Sequence, residues 1–72
     1  MTVLEKIRVG MSREEVVAAL GQPDDVGGTS PKYTTPSIYK YGEIELFFEP
    51  WKLGKLIMAY IEKDGVGTVL LK

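Results

Sequence analysis

The spacing of apolar residues changes from helical to alternating along this chain, and the change divides it into two parts. In the first, Val3, Leu4 and Ile7 recur at helical spacing behind Thr2, which predicts a short first helix over Thr2–Arg8. Such a helix is too short to be stable alone and must lean on the rest of the fold. Val9-Gly10-Met11 reads as a tight connection. The next stretch carries a start, a stripe and a stop for a second helix over Arg13–Leu20. Ser12 is an N-cap, and Glu15 three residues on completes a capping box. Val16, Val17 and Leu20 form the apolar stripe, Gly21 supplies the left-handed residue after the helix, and Pro23 forbids its continuation.

Residues 22–36 are dense in turn formers and free of periodicity, so they read as a long loop. Beyond it the period is two. Strands are predicted over Ser37–Tyr41, over Glu43–Glu49 after a turn at Gly42, and over Lys55–Glu62 after the Pro50–Gly54 turn. Lys63-Asp64-Gly65 is a hairpin-type turn, and Val66–Leu71 is a candidate fourth strand. The expected architecture is α+β, in one domain spanning residues 1–72: two N-terminal helices packed on one face of a three- to four-stranded antiparallel β-meander.

Alternation assigns side chains to faces. On the expectation that the helices cover Ile38, Ile44, Leu46, Phe48, Ile57, Ala59 and Ile61, the opposite face carries Tyr39, Tyr41, Phe47, Leu56, Met58 and Tyr60. That is a large apolar and aromatic area to leave in water: either it marks a partner surface, or the long loop and the C-terminal segment fold back over it. Trp51, beside a proline in a turn, is either a cap on the core edge or a further anchor. The predicted partner-binding set is therefore Tyr39, Tyr41, Phe47, Trp51, Met58 and Tyr60.

Composition narrows the chemistry. At 44% hydrophobic and 26% charged the chain has the make-up of a globular domain, with no apolar run long enough for a membrane. A net charge of −1 provides no electrostatic footprint for nucleic acid. With no cysteine and no histidine, thiolate metal sites, thiol nucleophiles and Ser/His/Asp arrangements are all excluded. Asp24 and Asp25 follow the helix stop and fit turn chemistry. Glu43, Glu45 and Glu49 share a strand but lack the ligand-rich loop of a calcium site. Gly65-Val66-Gly67-Thr68 and Gly27-Gly28-Thr29-Ser30 lack the lysine and the following helix of a phosphate loop. No residue set is positioned for catalysis, so the expectation is a non-enzyme without metal or cofactor. The N-terminus, with no basic and apolar leader, adds the expectation of a cytoplasmic protein.

Gly10-Met11-Ser12-Arg13-Glu14-Glu15-Val16, then Leu20-Gly21-Gln22-Pro23, a polar loop, Tyr39-Lys40-Tyr41-Gly42, Glu45-Leu46-Phe47-Phe48 and an Ile57-to-Ile61 strand together resemble the SmpA/OmlA-like domain. The resemblance covers about Leu4 to Glu62 and implies a two-helix, three-strand fold like the repeat unit of β-lactamase inhibitor proteins. It implies binding to other proteins and no catalytic residues. The absence of a signal peptide and of a lipobox cysteine points to cytoplasmic relatives rather than to the outer-membrane lipoproteins. Three readings follow. The first is an interaction module that binds a protein partner or a second copy of itself through the aromatic sheet face. The second is a small-ligand carrier with a pocket between the helices and the long loop, lined by Tyr33 and Tyr39. The third is an inhibitory or toxin-neutralising protein.

Overall fold

The capping signals around Ser12 produce the one α-helix among the described residues, which are residues 3–72 of a computed structural model. This helix, α1 (Arg13–Leu20), begins with both halves of the predicted capping box. The Glu15 N–H donates to Ser12 Oγ at 3.1 Å, and the Ser12 N–H donates to Glu15 Oε1 at 2.9 Å. Five strands follow: β1 (Asp25–Gly27), β2 (Ile38–Tyr41), β3 (Ile44–Phe48), β4 (Leu56–Lys63) and β5 (Val66–Leu71). They form one antiparallel sheet in sequence order.

This architecture corrects the expected one of two helices on a three- to four-stranded meander. Of the first helix only a single 3-10 turn, Val3–Glu5, is formed, and Thr2, read as its cap, lies outside the described residues. A segment this short does not hold a helix by itself, and past its first turn the backbone runs on to the sheet. The Gly10 N–H donates to the Leu56 carbonyl at 2.8 Å, the Leu56 N–H donates to the Met11 carbonyl at 2.7 Å, and Ser12 bridges Lys55. Residues 10–12, expected as the connection and the cap, thus pair with the entry to β4 and tie the N-terminal segment to the sheet. The other correction lies in the 22–36 loop, where Asp25–Gly27 pairs with Ile38–Lys40 and becomes β1. A three-residue strand among turn formers is set by its partner and leaves no periodicity to read.

The face assignment changes as well. Gly42 and Glu43 form a two-residue turn with Tyr41 opposite Ile44. Gly42 has φ 63°, as the first central position of a II′ turn requires. Paired residues share a face, so Tyr39 and Tyr41 lie with Ile44, Leu46 and Phe48, while Ile38 lies with Phe47. On β4 the register shifts, with Phe47 opposite Met58 but Phe48 opposite Leu56. That bulge turns Leu56 inward and leaves Ile57 46% exposed.

The core is built from Ile7 before the helix, Val16 on α1, and Leu46, Phe48, Leu56 and Ala59 on the covered sheet face. Tyr39, Tyr41, Ile44, Leu20 and Leu71 pack around it. Burying apolar side chains this fully stabilises by about 1.5–3 kcal/mol each.

Candidate functional site

On the face opposite α1, pairing across β2, β3 and β4 brings Ile38, Phe47 and Met58 into one row. Pairing across β2 to β5 brings Lys40, Glu45, Tyr60 and Val69 into the next. The rings of Phe47 and Tyr60 meet edge to face, with centroids 6.2 Å apart. Tyr60 leans across Gly67, where any side chain would collide with its ring. An aromatic side chain over a strand glycine restores the cross-strand packing that glycine lacks. Lys40 and Glu45 stand opposite each other in the second row, and Glu62, whose carboxylate lies 3.5 Å from the Tyr60 hydroxyl, borders the face, so its apolar and aromatic part is Ile38, Phe47, Met58 and the Tyr60 ring.

At the end of β3 the chain turns through Pro50–Gly54, and a buried cation holds that turn. Arg13, the first residue of α1, is only 7% exposed. Its Nε–H donates to the Pro36 carbonyl at 2.9 Å, and Nη2 donates to the Glu49 carbonyl at 2.9 Å. Nη1 reaches the carbonyls of Trp51, Lys52 and Gly54 at 3.0, 3.1 and 3.4 Å. The guanidinium carbon also stands 5.1 Å from the Phe48 ring centre, a cation–π contact. Five carbonyl dipoles, one from Pro36 and four from the 49–54 stretch, replace the water that this charge gives up. With its backbone turned inward, the turn presents its side chains outward: Trp51 is 47% exposed and Leu53 82%.

Beside the turn lies an open groove of about 580 Å³, lined among others by Ser12, Thr35, Tyr39, Leu53 and Lys55. Two lysines, Lys52 and Lys55, line it together with the acidic Glu14.

Of the predicted partner-binding residues, Phe47, Met58 and Tyr60 stand together on the open face, and Trp51 stands apart on the turn. Tyr39 and Tyr41 are corrected to the covered face. Tyr39 packs its ring 5.0 Å from that of Phe48, and the Tyr41 hydroxyl donates to the Gly21 carbonyl at 2.9 Å. Burial, helped by Tyr39 and Asp24 nearby, raises the Tyr41 phenol above its ordinary pKa. The open face gains Ile38 and Val69, which alternation with a one-residue turn had placed elsewhere or left out. Arg13 was missed altogether, although one signal was present: a cation in the first turn of a helix opposes the dipole.

Among the described residues no helix is long and apolar enough to cross a membrane, and no group of three acidic side chains is gathered to hold a metal ion. Comparison with protein-family models, with curated proteins and with solved structures finds no match for the chain.

Proposed function

We propose that this chain is a small, non-catalytic protein-interaction module that binds a partner protein through the open face of its sheet, in the cytoplasm. The observation that carries the reading is the contiguous array of Ile38, Phe47, Met58 and Tyr60 on the face that α1 leaves uncovered. Aromatic residues bury much area at modest cost in side-chain entropy, methionine adapts its shape to a partner, and both are enriched in interface cores. The packed Phe47–Tyr60 pair is already ordered, which lowers what binding must immobilise. Trp51 and Leu53, exposed on a turn held by Arg13, stand apart from this array and form no part of it. The resemblance to the SmpA/OmlA-like domain is consistent with such a role, as a proposal that rests on the residues quoted for it.

The test is affinity capture with the wild type and with Met58→Glu, followed by binary titration against the purified partner. Met58→Glu places a charge at the centre of the face, so binding is expected to fall at least tenfold. Ala18→Glu, on the exposed side of α1, is the control and is expected to bind as the wild type. A partner held equally by the wild type and by Met58→Glu would overturn the reading.

A second reading has one observation in its favour. The 580 Å³ groove offers an apolar wall at Tyr39 and Leu53 beside two lysines, a setting for a small amphipathic anion. Tyr33, expected to line such a pocket, is not among its walls. Lys52→Ala with Lys55→Ala would abolish the thermal stabilisation that such a ligand gives; a screen of carboxylate metabolites in which none raises the melting temperature would remove this reading.

A further inference from the structure

The turn between β3 and β4 is closed at its base and fixed up to its tip. The Glu49 N–H donates to the Lys55 carbonyl at 3.0 Å, and the Lys55 N–H donates to Glu49 Oε1 at 2.9 Å. Inside that frame the Gly54 N–H donates to the Trp51 carbonyl at 2.9 Å, which makes a four-residue turn with Lys52 and Leu53 at its tip. Gly54 is buried against the Glu49 backbone so closely that a Cβ there would collide with it. On this ordered tip stands Leu53, at 82% the most exposed large apolar side chain among the described residues.

Two features separate the tip from an ordinary polar turn. Its apolar side chains, Trp51 and Leu53, are exposed, and so are the two lysines that alternate with them, Lys52 and Lys55. The carbonyls of Trp51, Lys52 and Gly54 are turned the other way, into the Arg13 guanidinium. A surface turn commonly leaves such carbonyls to water, and moving them out of water without a partner is costly. Here those bonds are made inside the protein, so this tip can enter a medium poorer in water and keep them.

We propose that the Pro50–Lys55 turn is a peripheral docking point on an anionic phospholipid bilayer, with Trp51 and Leu53 entering the interfacial layer and the ammonium groups of Lys52 and Lys55 at the level of the headgroup phosphates. Tryptophan settles at membrane interfaces because its ring is amphipathic. A lysine stem lies along apolar surface while its charged head stays with water and lipid phosphate. Residues 50–55 include no carboxylate, and the Glu49 carboxylate at the base is bonded to the Lys55 N–H. Glu14 and Glu15 on α1 are the acids beside Lys55, and they keep the attraction small and reversible. A chain of net charge −1 has no general attraction for an anionic surface, so the two lysines steer it turn first. These residues lie outside the array on the open face, and the turn docks on lipid whatever that face binds.

Trp51 is the only tryptophan, so its emission reports the tip directly. Titration with phosphatidylcholine vesicles containing about one-third phosphatidylserine is expected to shift that emission to the blue, and brominated acyl chains should quench it. Partitioning should be at least tenfold weaker on phosphatidylcholine alone and should fall as salt is raised. Leu53→Asp should weaken it at least tenfold, and Lys52→Ala and Lys55→Ala about fivefold each. Val66→Asp, exposed at the opposite end of β4, is the control for added charge and should bind as the wild type. Circular dichroism of each variant checks that the fold is retained. Wild-type emission that anionic vesicles leave unchanged overturns the proposal, and a purified protein captured through Leu53 under those conditions would make the turn a protein anchor instead. An equal shift with soluble glycerophosphoserine also overturns it, because the turn would then bind a small ion and not a bilayer. So does partitioning that Val66→Asp weakens as much as Leu53→Asp.

Discussion

Arg13 binds Glu49 through its carbonyl and not through its carboxylate: Nη2 donates to the Glu49 backbone oxygen at 2.9 Å, while Glu49 Oε1 accepts from the Lys55 N–H at 2.9 Å. One residue is thereby bonded at both ends, to the helix start on one side and across the turn on the other. The charge on Arg13 is met by five carbonyls and a ring.

Arg13→Ala removes that whole set and leaves buried carbonyls without donors. Hydrogen bonds to charged groups contribute about 1.5–3 kcal/mol each, and their loss is not additive, so a total of about 3–4 kcal/mol is expected. At roughly 4–8 °C per kcal/mol for a domain of this size, the melting temperature should fall by more than 10 °C. Arg13→Lys keeps the charge but cannot span the Pro36 and Glu49 carbonyls at once, and should recover less than half. Trp51 is the sole tryptophan and sits on the turn, so its emission in urea titrations reports both losses.

The capping box makes a prediction about acid. The Ser12 backbone N–H, and then the Ser12 hydroxyl, hold the Glu15 carboxyl below the usual glutamate range. A folded-state pKa below the unfolded one gives stability that is present above the unfolded value and is lost as pH falls through the folded value. Wild type should therefore exceed Glu15→Gln in urea midpoint at pH 7, and the gap should close as the pH is taken below about 3. A gap that persists in acid would show that the charge on Glu15 is not what the cap uses. Ser12→Ala should cost about 1 kcal/mol at neutral pH.

The sheet faces can be tested in the same way. Tyr39 and Ile38 are neighbours on β2, and the pairing places Tyr39 over the core and Ile38 on the open side. Tyr39→Ala should cost about 2–3 kcal/mol and Ile38→Ala about 1 kcal/mol or less, measured by chemical denaturation. The reverse order would restore the face assignment expected from alternation alone.

That contrast shows what the sequence makes legible. Ser12 and Glu15 are three residues apart, Gly21 ends the stripe of Val16, Val17 and Leu20, and all of these interactions are local, so α1 could be read directly. Alternation likewise announced β3 and the inward direction of Ile44, Leu46 and Phe48. It could not say which residues of β2 face them, because parity across a hairpin depends on whether the turn holds one residue or two. The bulge at Ile57 has the same character: it is a property of the pair β3–β4 and not of either strand. Non-local bonds also decided the remaining differences. The connection at residues 10–12 was paired to Leu56, Asp25–Gly27 became a strand through β2, and Arg13 acquired its role from carbonyls more than twenty residues away. Phe47, Met58 and Tyr60 were grouped correctly because one register along β3 and β4 suffices to place them together.

Tyr41 ties the end of β2 to the end of α1, and its chemistry predicts an alkaline limb. Its hydroxyl donates to the Gly21 carbonyl at 2.9 Å, while burial, Tyr39 and Asp24 disfavour the phenolate. The folded-state pKa therefore lies above the unfolded one, so the associated stability is full below the ordinary phenol value and declines as pH rises through the folded value. Tyr41→Phe removes both the hydrogen bond and the titration. At pH 7 it should cost about 1 kcal/mol, and between pH 7 and about 11 its urea midpoint should fall less than that of the wild type. Absorbance at the phenolate band gives an independent reading, since a step above the ordinary phenol range should be present in the wild type and vanish in Tyr41→Phe. Equal alkaline slopes for the two proteins would mean that the Tyr41 hydroxyl reaches water and not the helix end.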